Sequence, residues 1–439
     1  MPEGPHPLRH SFRALRHRNF RLFLGGQFVS LVGTWLQSVA LGWLLYRLTH
    51  SAFVLGLAGF LTQIPSLVLS PLAGVWADRW NRHRMVIGTQ ALSMVQALAL
   101  AALVLSGRSA VLPILLLNLL LGIANATDVP ARQSFVVELV AGSEDLPNAI
   151  ALNSSIFNLA RLVGPALAGP LIAALGEGTV FLLNGLSYLA VIAALLAIRV
   201  PARPHRVEPW GELRSHLRDG LRYVAGFAPI RAVLVLLAIL NLFGTTNMVL
   251  LPIFAGDVMR GDAHTYGLLV GSIGVGALAG ALYMASRRTV VGLGRVILVA
   301  LSLFSGSLIA LAFTRNQWLA VAILAVTGFG MMVHMASSNT IVQTLVDPAM
   351  RGRVMSFYTV AFMGSAPLGS LLLGWSASRI GAPWTTGLSS LICLAATAAF
   401  ACKLPALREQ VRPIYARMGV IAEVAEGLQA GEEAETVQR

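Results

Sequence analysis

The sequence predicts an all-α polytopic membrane protein of about twelve spans in two six-span halves. Three observations predict it. The 439 residues are 56% hydrophobic and only 12% charged, whereas a soluble domain is nearer a quarter charged. Apolar runs long enough to cross a bilayer recur along the whole chain. Basic residues gather in the connections on one side of these runs.

Each span is justified by length. About 20 apolar residues cross ~30 Å of hydrocarbon at ~1.5 Å per residue. Such runs fall at 21–46, 52–77, 85–105, 110–130, 149–174, 179–198, 230–253, 266–286, 295–313, 317–341, 354–377 and 382–402. A membrane β-barrel would instead alternate over ~10-residue strands. The first run is too long for a cleaved signal peptide and more spans follow it at once. The only cysteines, Cys393 and Cys402, fall on opposite faces of the last span, ~13 Å apart along it, which predicts no disulfide and no cysteine metal site.

The net charge of +13 points first to nucleic acid, but its distribution follows membrane topology. One side collects Arg9, Arg13, Arg16, Arg18 and Arg21, then Arg79, Arg82 and Arg84. It continues with Arg199, Arg203, Arg206, Arg214, Arg218 and Arg222, then Arg287, Arg288 and Arg295, and Arg351 and Arg353. The other side keeps Arg47, Arg108, Arg260, Arg315 and Arg379. This asymmetry predicts both termini in the cytoplasm.

The organisation follows. Residues 1–20 form an N-terminal arm and 21–198 a first six-helix bundle. Residues 199–229 are a cytoplasmic linker, 230–402 a second bundle and 403–439 a tail that begins basic and ends acidic. In the linker, Leu213, Leu217, Leu221 and Val224 recur at helical spacing opposite Arg214, Arg218 and Arg222, the pattern of an amphipathic interfacial helix. The halves echo each other: DVPARQSFVVELV precedes a span with VGPALAG, and VDPAMRGRVMSFYTV precedes one with SAPLGS. Such internal repetition is the signature of duplicated transporter folds.

The loop after the second span carries Gly74, Asp78, Arg79, Asn81, Arg82 and Arg84. Asp78 ends a helix, where its charge opposes the helix dipole and calls for a partner. Arg82, Arg84 or another helix N-terminus can supply one. A plain positive-inside loop accounts for the arginines but not for Gly74 or Asp78. The loop resembles the signature between spans two and three of the major facilitator superfamily, with Asn81 where a second glycine is usual. Asn tolerates left-handed backbone, so the turn is expected to survive. The resemblance implies a fold of twelve transmembrane helices in two pseudo-symmetric six-helix bundles. It also implies a gating latch on the cytoplasmic side that breaks and re-forms during alternating access.

Span five carries Gly164, Pro165 and Gly169, small and kinking residues suited to close helix packing. They resemble the span-five motif of exporters in the same superfamily, with Ala160 and Ala168 in place of two glycines. Spans eight (Gly271, Gly274, Gly276, Gly280) and eleven (Gly364, Gly369, Gly374) are also glycine-rich. In the family arrangement spans two, five, eight and eleven form the moving interface.

Arg161 lies near mid-depth of span five. An unpaired charge there costs ~2.5–3.5 kcal/mol on lenient insertion scales, so it is expected to face the interior or a water-filled cavity. Asp128 is its expected partner, and the pair is either structural or a substrate-anion or coupling site. Gln37, Asn158, Asn241 and His334 are further polar candidates to line a cavity, each more readily read as an interhelical hydrogen bond. His334 titrates near neutral pH when unperturbed, and Asp128 is the one acid deep in a span. Proton-gradient coupling is therefore implied by the resemblance more than by the residues. No Walker loop, catalytic triad or metal cluster is present in the sequence, which predicts neither an enzyme nor a cofactor-dependent protein.

Over residues 10–405, FRALRHRNFRLFLGGQFVSLVGTWLQSVALGWLLYRLT, ANATDVPARQSFVVELV and LPNAIALNSSIFNLARLVGPALAG resemble the branch with the enterobactin exporter and bacterial drug exporters. That implies secondary active efflux of a small amphipathic molecule, a siderophore or a drug, by a monomer in the bacterial inner membrane. The alternatives are import of a small solute, or a non-transporting sensor or membrane enzyme on the same fold.

Overall fold

The structure, a computed structural model, describes residues 12–79, 81–140, 144–199, 210–287 and 289–417, with side chains for all of these except 70–79, 210–217 and 417. Among the described residues every regular element is a helix. Hydrocarbon cannot satisfy backbone polar groups, so a spanning segment must bond them within itself.

The first half holds α1 (Arg18–Thr49), α2 (Ala52–Arg79), α3 (Arg82–Leu105) and α4 (Val111–Leu139). Helical hydrogen bonding then runs from Leu146 to Ala197, interrupted at Gly176, whose φ of 76° is left-handed. Glycine accepts that conformation without a Cβ clash. The break makes two spans, α5 (146–175) and α6 (177–197). The second half holds α7 (Ala228–Val258), α8 (Ala263–Ser286), α9 (Leu293–Phe313), α10 (Gln317–Leu345), α11 (Arg351–Ile380) and α12 (Ala382–Arg417).

Two helices outrun their apolar stretches. α4 continues past residue 130 to Leu139 with Pro130 inside it. α12 continues past residue 402, so 403–417 is helix rather than tail. Hydropathy marks where apolar side chains end, not where the backbone stops bonding. Leu404 and Leu407 keep a buried side on this extension. Cys393 is buried and Cys402 exposed, both free.

Packing repeats between the halves. α2 lies on α4 as α8 lies on α10, α3 on α4 as α9 on α10, and α3 on α6 as α9 on α12. The halves meet where α2 packs on α11 and α5 on α8. Exchanging α2 with α8 and α5 with α11 maps each contact onto the other, the pseudo-twofold that duplication predicts. Backbones touch there. A Cβ on Gly56 would lie 2.7 Å from Gly374 Cα, and one on Gly267 the same distance from Gly169 Cα.

The linker helix (Trp210–Gly226) docks on the second half. Arg353 donates to Asp219 at 3.2 Å, and the Asp347 backbone N–H donates to the Tyr223 hydroxyl at 3.3 Å. Of the expected apolar stripe, Val224 is buried and Leu221 exposed; Leu213 and Leu217 lie outside the described side chains.

Candidate functional site

A cavity of about 440 Å³ lies between the halves, within the range of small-molecule sites. α1, α2, α4 and α5 line it from one half, and α7, α8, α10 and α11 from the other. Its wall mixes apolar surface with Ser38, Thr62, Gln63, Asn118, Asn241 and Ser370, and adds Met248, Met331, Met335 and Met363. Flexible, polarisable methionines adapt to irregular apolar shapes. α11 widens into a π-helical turn over Val360–Gly364, which carries the lining residues Phe362 and Met363; such turns recur at functional sites.

Arg161 is the one charged side chain on this wall among the described residues. It sits midway along α5, about 22 Å from either end at 1.5 Å per residue. Its guanidinium carbon stands 5.7 Å from the centre of the Trp35 ring on α1. Its Nη2 reaches the Met331 sulfur at 3.9 Å. Cation–π contact is worth roughly 0.5–2 kcal/mol and a thioether is a weak acceptor, so neither replaces a counter-ion.

The expected Arg161–Asp128 pair does not form. Asp128 is 5% exposed and forms an ion pair with Arg132, its carboxylate 3.0 Å from Nε, while Thr89 and Gln90 each donate to it at 2.8 Å. Arg132, one turn on along α4, is the nearer cation, and side chains four residues apart face each other on a helix. The Asp-x-x-x-Arg spacing of residues 128 and 132 is the sequence signal for this partner.

The other candidates separate. Asn241 lines the cavity, donating to the Leu237 carbonyl and accepting from Thr245 at 3.0 Å. Gln37 is buried behind it, donating to Gln96 at 3.0 Å and accepting from Asn184 at 2.8 Å. Asn158 donates to the Ser154 carbonyl on its own helix. His334 is buried in the second half, its Nδ1 3.2 Å from the Ser338 hydroxyl and its Nε2 without a partner among the described residues. Gln37, Asn158, His334 and Asp128 do not line the cavity.

In span five Gly164 packs on Trp35 within its own half, Pro165 lines the cavity and Gly169 meets α8. In α8, Gly271 and Gly274 face α5, whereas Gly276 and Gly280 face α10. The glycine-rich face therefore serves packing within the half as well as the interface.

The face opposite the N-terminus is closed where α2 meets α11 and α5 meets α8. Tyr46 on α1 donates to Asp257 at 2.5 Å, with His50 3.8 Å from the same carboxylate. Trp43 stacks on Tyr266 of α8, centroids 6.2 Å apart. Nearby, Arg47 holds Glu177 through two hydrogen bonds of 2.9 and 3.1 Å.

On the face bearing the N-terminus, Gly74, Asp78 and Arg79 lie outside the described side chains. Arg82 pairs with Glu138 of α4 at 2.8 Å. Asn81 is not left-handed: its φ is −65° and its side chain accepts from the Arg84 N–H at 3.1 Å, an N-cap for α3. Asp145, immediately before α5, gathers Arg13 at 3.1 Å, Arg16 at 2.7 Å and His17 at 3.0 Å. Burial alone would raise its carboxyl. The bonds from His17 and Arg16 and the charges of Arg16 and Arg13 outweigh burial and hold it below the ordinary carboxylate value.

Residues 9–423 match the protein family described as transmembrane secretion effector. The chain is 24% identical over 383 residues to the staphyloferrin A transporter of Staphylococcus aureus, covering 87% of this chain and 95% of that one. It is 27% identical to the multidrug efflux pump Tap of Mycobacterium tuberculosis (88% and 94%) and 28% identical to the enterobactin exporter EntS of Escherichia coli (82% and 85%). Among solved structures, an inward-facing bacterial homologue of the iron transporter ferroportin superposes with a TM-score of 0.66 at 17% identity, over 88% of this chain and 98% of that one. That likeness concerns the fold.

Proposed function

The chain belongs to the transmembrane secretion effector family of the major facilitator superfamily, and from that premise we propose that it is a secondary active exporter of a small amphipathic molecule, a siderophore or a drug. The observation that carries this reading is the cavity between the halves, closed on one face by the α2–α11 and α5–α8 contacts. A site at mid-depth between two pseudo-symmetric bundles is what alternating access requires.

The arginine asymmetry supports placing both termini in the cytoplasm of a bacterial cell. The closed face is then the outer one and the conformation is inward-facing. The chain works as a monomer whose transport core is complete in one copy, and it acts as a carrier rather than an enzyme. The proton gradient is the energy source. Asp128, a buried carboxylate held by Arg132, Thr89 and Gln90, is the coupling candidate, since the cavity wall itself holds no acid among the described residues.

Inside-out vesicles test direction and coupling together. A fluorescent amphipath should accumulate in them when the lumen is acidified and leave when the gradient is collapsed. Accumulation in right-side-out vesicles alone would make the protein an importer and overturn the reading.

A further inference from the structure

The geometry points to a cargo that is an anion on a flat apolar scaffold, its negative group on Arg161 and its body against Trp35 and the Met331–Met335 wall. This deepens the export reading and rests on it.

Charge is the first argument. Arg161 is the one charged group on the wall among the described residues, and the described acids on the helices of its own half and at the closed face pair with other groups. Asp128 is held by Arg132, Glu138 by Arg82 and Glu177 by Arg47. Asp145 is held by Arg13 and Arg16. Asp257 accepts from Tyr46. Each is held by another donor, so among the described residues none is left for Arg161, and its counter-charge is to arrive from outside.

Donor geometry is the second. A guanidinium offers five N–H donors in a planar fork that fits a carboxylate, sulfonate or phosphate through two parallel bonds. The described contacts of Arg161 are a sulfur and a ring face, which leave most of that fork to water or cargo. The wall's amides spend N–H groups elsewhere: Asn118 donates to the Ala58 carbonyl at 2.7 Å and Asn241 to that of Leu237 at 3.1 Å. Arg161 is thus the strongest donor facing the lumen.

Discrimination is the third. A cationic amphipath entering this cavity meets a like charge and no carboxylate among the described residues, the repulsive half of specificity. The indole of Trp35 and the methionine sulfurs accept flat aromatic surface without fixing its outline.

Two dyes on one three-ring scaffold test this: carboxyfluorescein, an anion, and rhodamine 123, a cation. Binding to the full-length protein in phosphatidylcholine nanodiscs is read by fluorescence anisotropy. Carboxyfluorescein should bind at least ~10-fold tighter than rhodamine 123, Arg161→Gln should erase that preference, and Arg161→Lys should keep a weakened one because it retains charge without the fork. Equal or reversed preference in the wild type, a preference that survives Arg161→Gln, or no saturable binding of carboxyfluorescein overturns the inference. Inside-out vesicles separate it from the export reading. Bound carboxyfluorescein that no gradient moves removes export and leaves the anion site. Gradient-driven uptake of rhodamine 123 without carboxyfluorescein removes the anion site and leaves export.

Discussion

Tyr46 on α1 and Asp257 at the end of α7, 211 positions apart, share a 2.5 Å hydrogen bond that joins the two halves on the closed face. A hydrogen bond to a charged group contributes roughly 1.5–3 kcal/mol, a tenfold or larger bias toward closure on this side. Tyr46→Phe should therefore raise thiol-reagent access to a cysteine placed at Ser38 from the closed face by about tenfold. Asp257→Asn, whose amide oxygen still accepts, should raise it less. Equal access in wild type and Tyr46→Phe would remove the latch role.

Gly56 and Gly374 give a steric test of the same closure. A side chain at Gly56 meets the Gly374 backbone before α2 and α11 reach their present separation. Gly56→Leu should insert and fold but lose transport, with a spin-label distance between the ends of α2 and α11 on the closed face longer than in the wild type. Normal efflux by Gly56→Leu would mean that this contact is not part of the cycle.

The Asp128–Arg132 pair is a stability feature that one-sided truncation exposes. Removing one partner of a buried ion pair costs about 3–5 kcal/mol, because the other charge stays buried. Arg132→Ala should lower the unfolding midpoint in detergent markedly, and Asp128→Asn combined with Arg132→Gln should recover much of the loss. A double variant no more stable than Arg132→Ala would show that the charges are not the cause.

The N-terminal clamp should respond to acid. Asp145 is held below its ordinary carboxylate value, so the folded form binds its proton less readily than the unfolded one. The stabilisation is then complete above the unfolded value of ~3.9 and is lost as pH falls through the lower folded value. Hydrogen exchange of residues 12–17, taken relative to the intrinsic rate at each pH, should be slow and unchanged from neutral pH down to that range in a His17→Gln background, and should accelerate relative to that rate below it. Removing Arg13 and Arg16 should move the acceleration to higher pH; no movement would exclude the carboxylate as the clamp.

The cavity was only partly legible beforehand. Arg161 stands out in any hydropathy reading because a charge at mid-depth has no lipid-compatible place. Its environment does not, since Trp35 and Met331 are 126 and 170 positions away and neither type is unusual in a span. Asn241 and Gln37 look alike as isolated polar residues, yet one lines the cavity and the other closes a buried amide chain with Gln96 and Asn184.

By itself the sequence determined the number and approximate position of the spans, the duplication and the charge asymmetry. Those follow from one-dimensional demands: lipid requires a long self-bonded apolar helix, and a basic loop stays on one side whatever its neighbours do. Tertiary structure alone decided which polar groups meet. Asp128 turned to Arg132, Asn81 capped α3, His334 went into the second-half core, and Tyr46 found Asp257 across the boundary between halves. A hydrogen bond or ion pair depends on ångström-scale positions of atoms on different helices, and the rotation of each helix about its own axis is set by packing against all its neighbours at once.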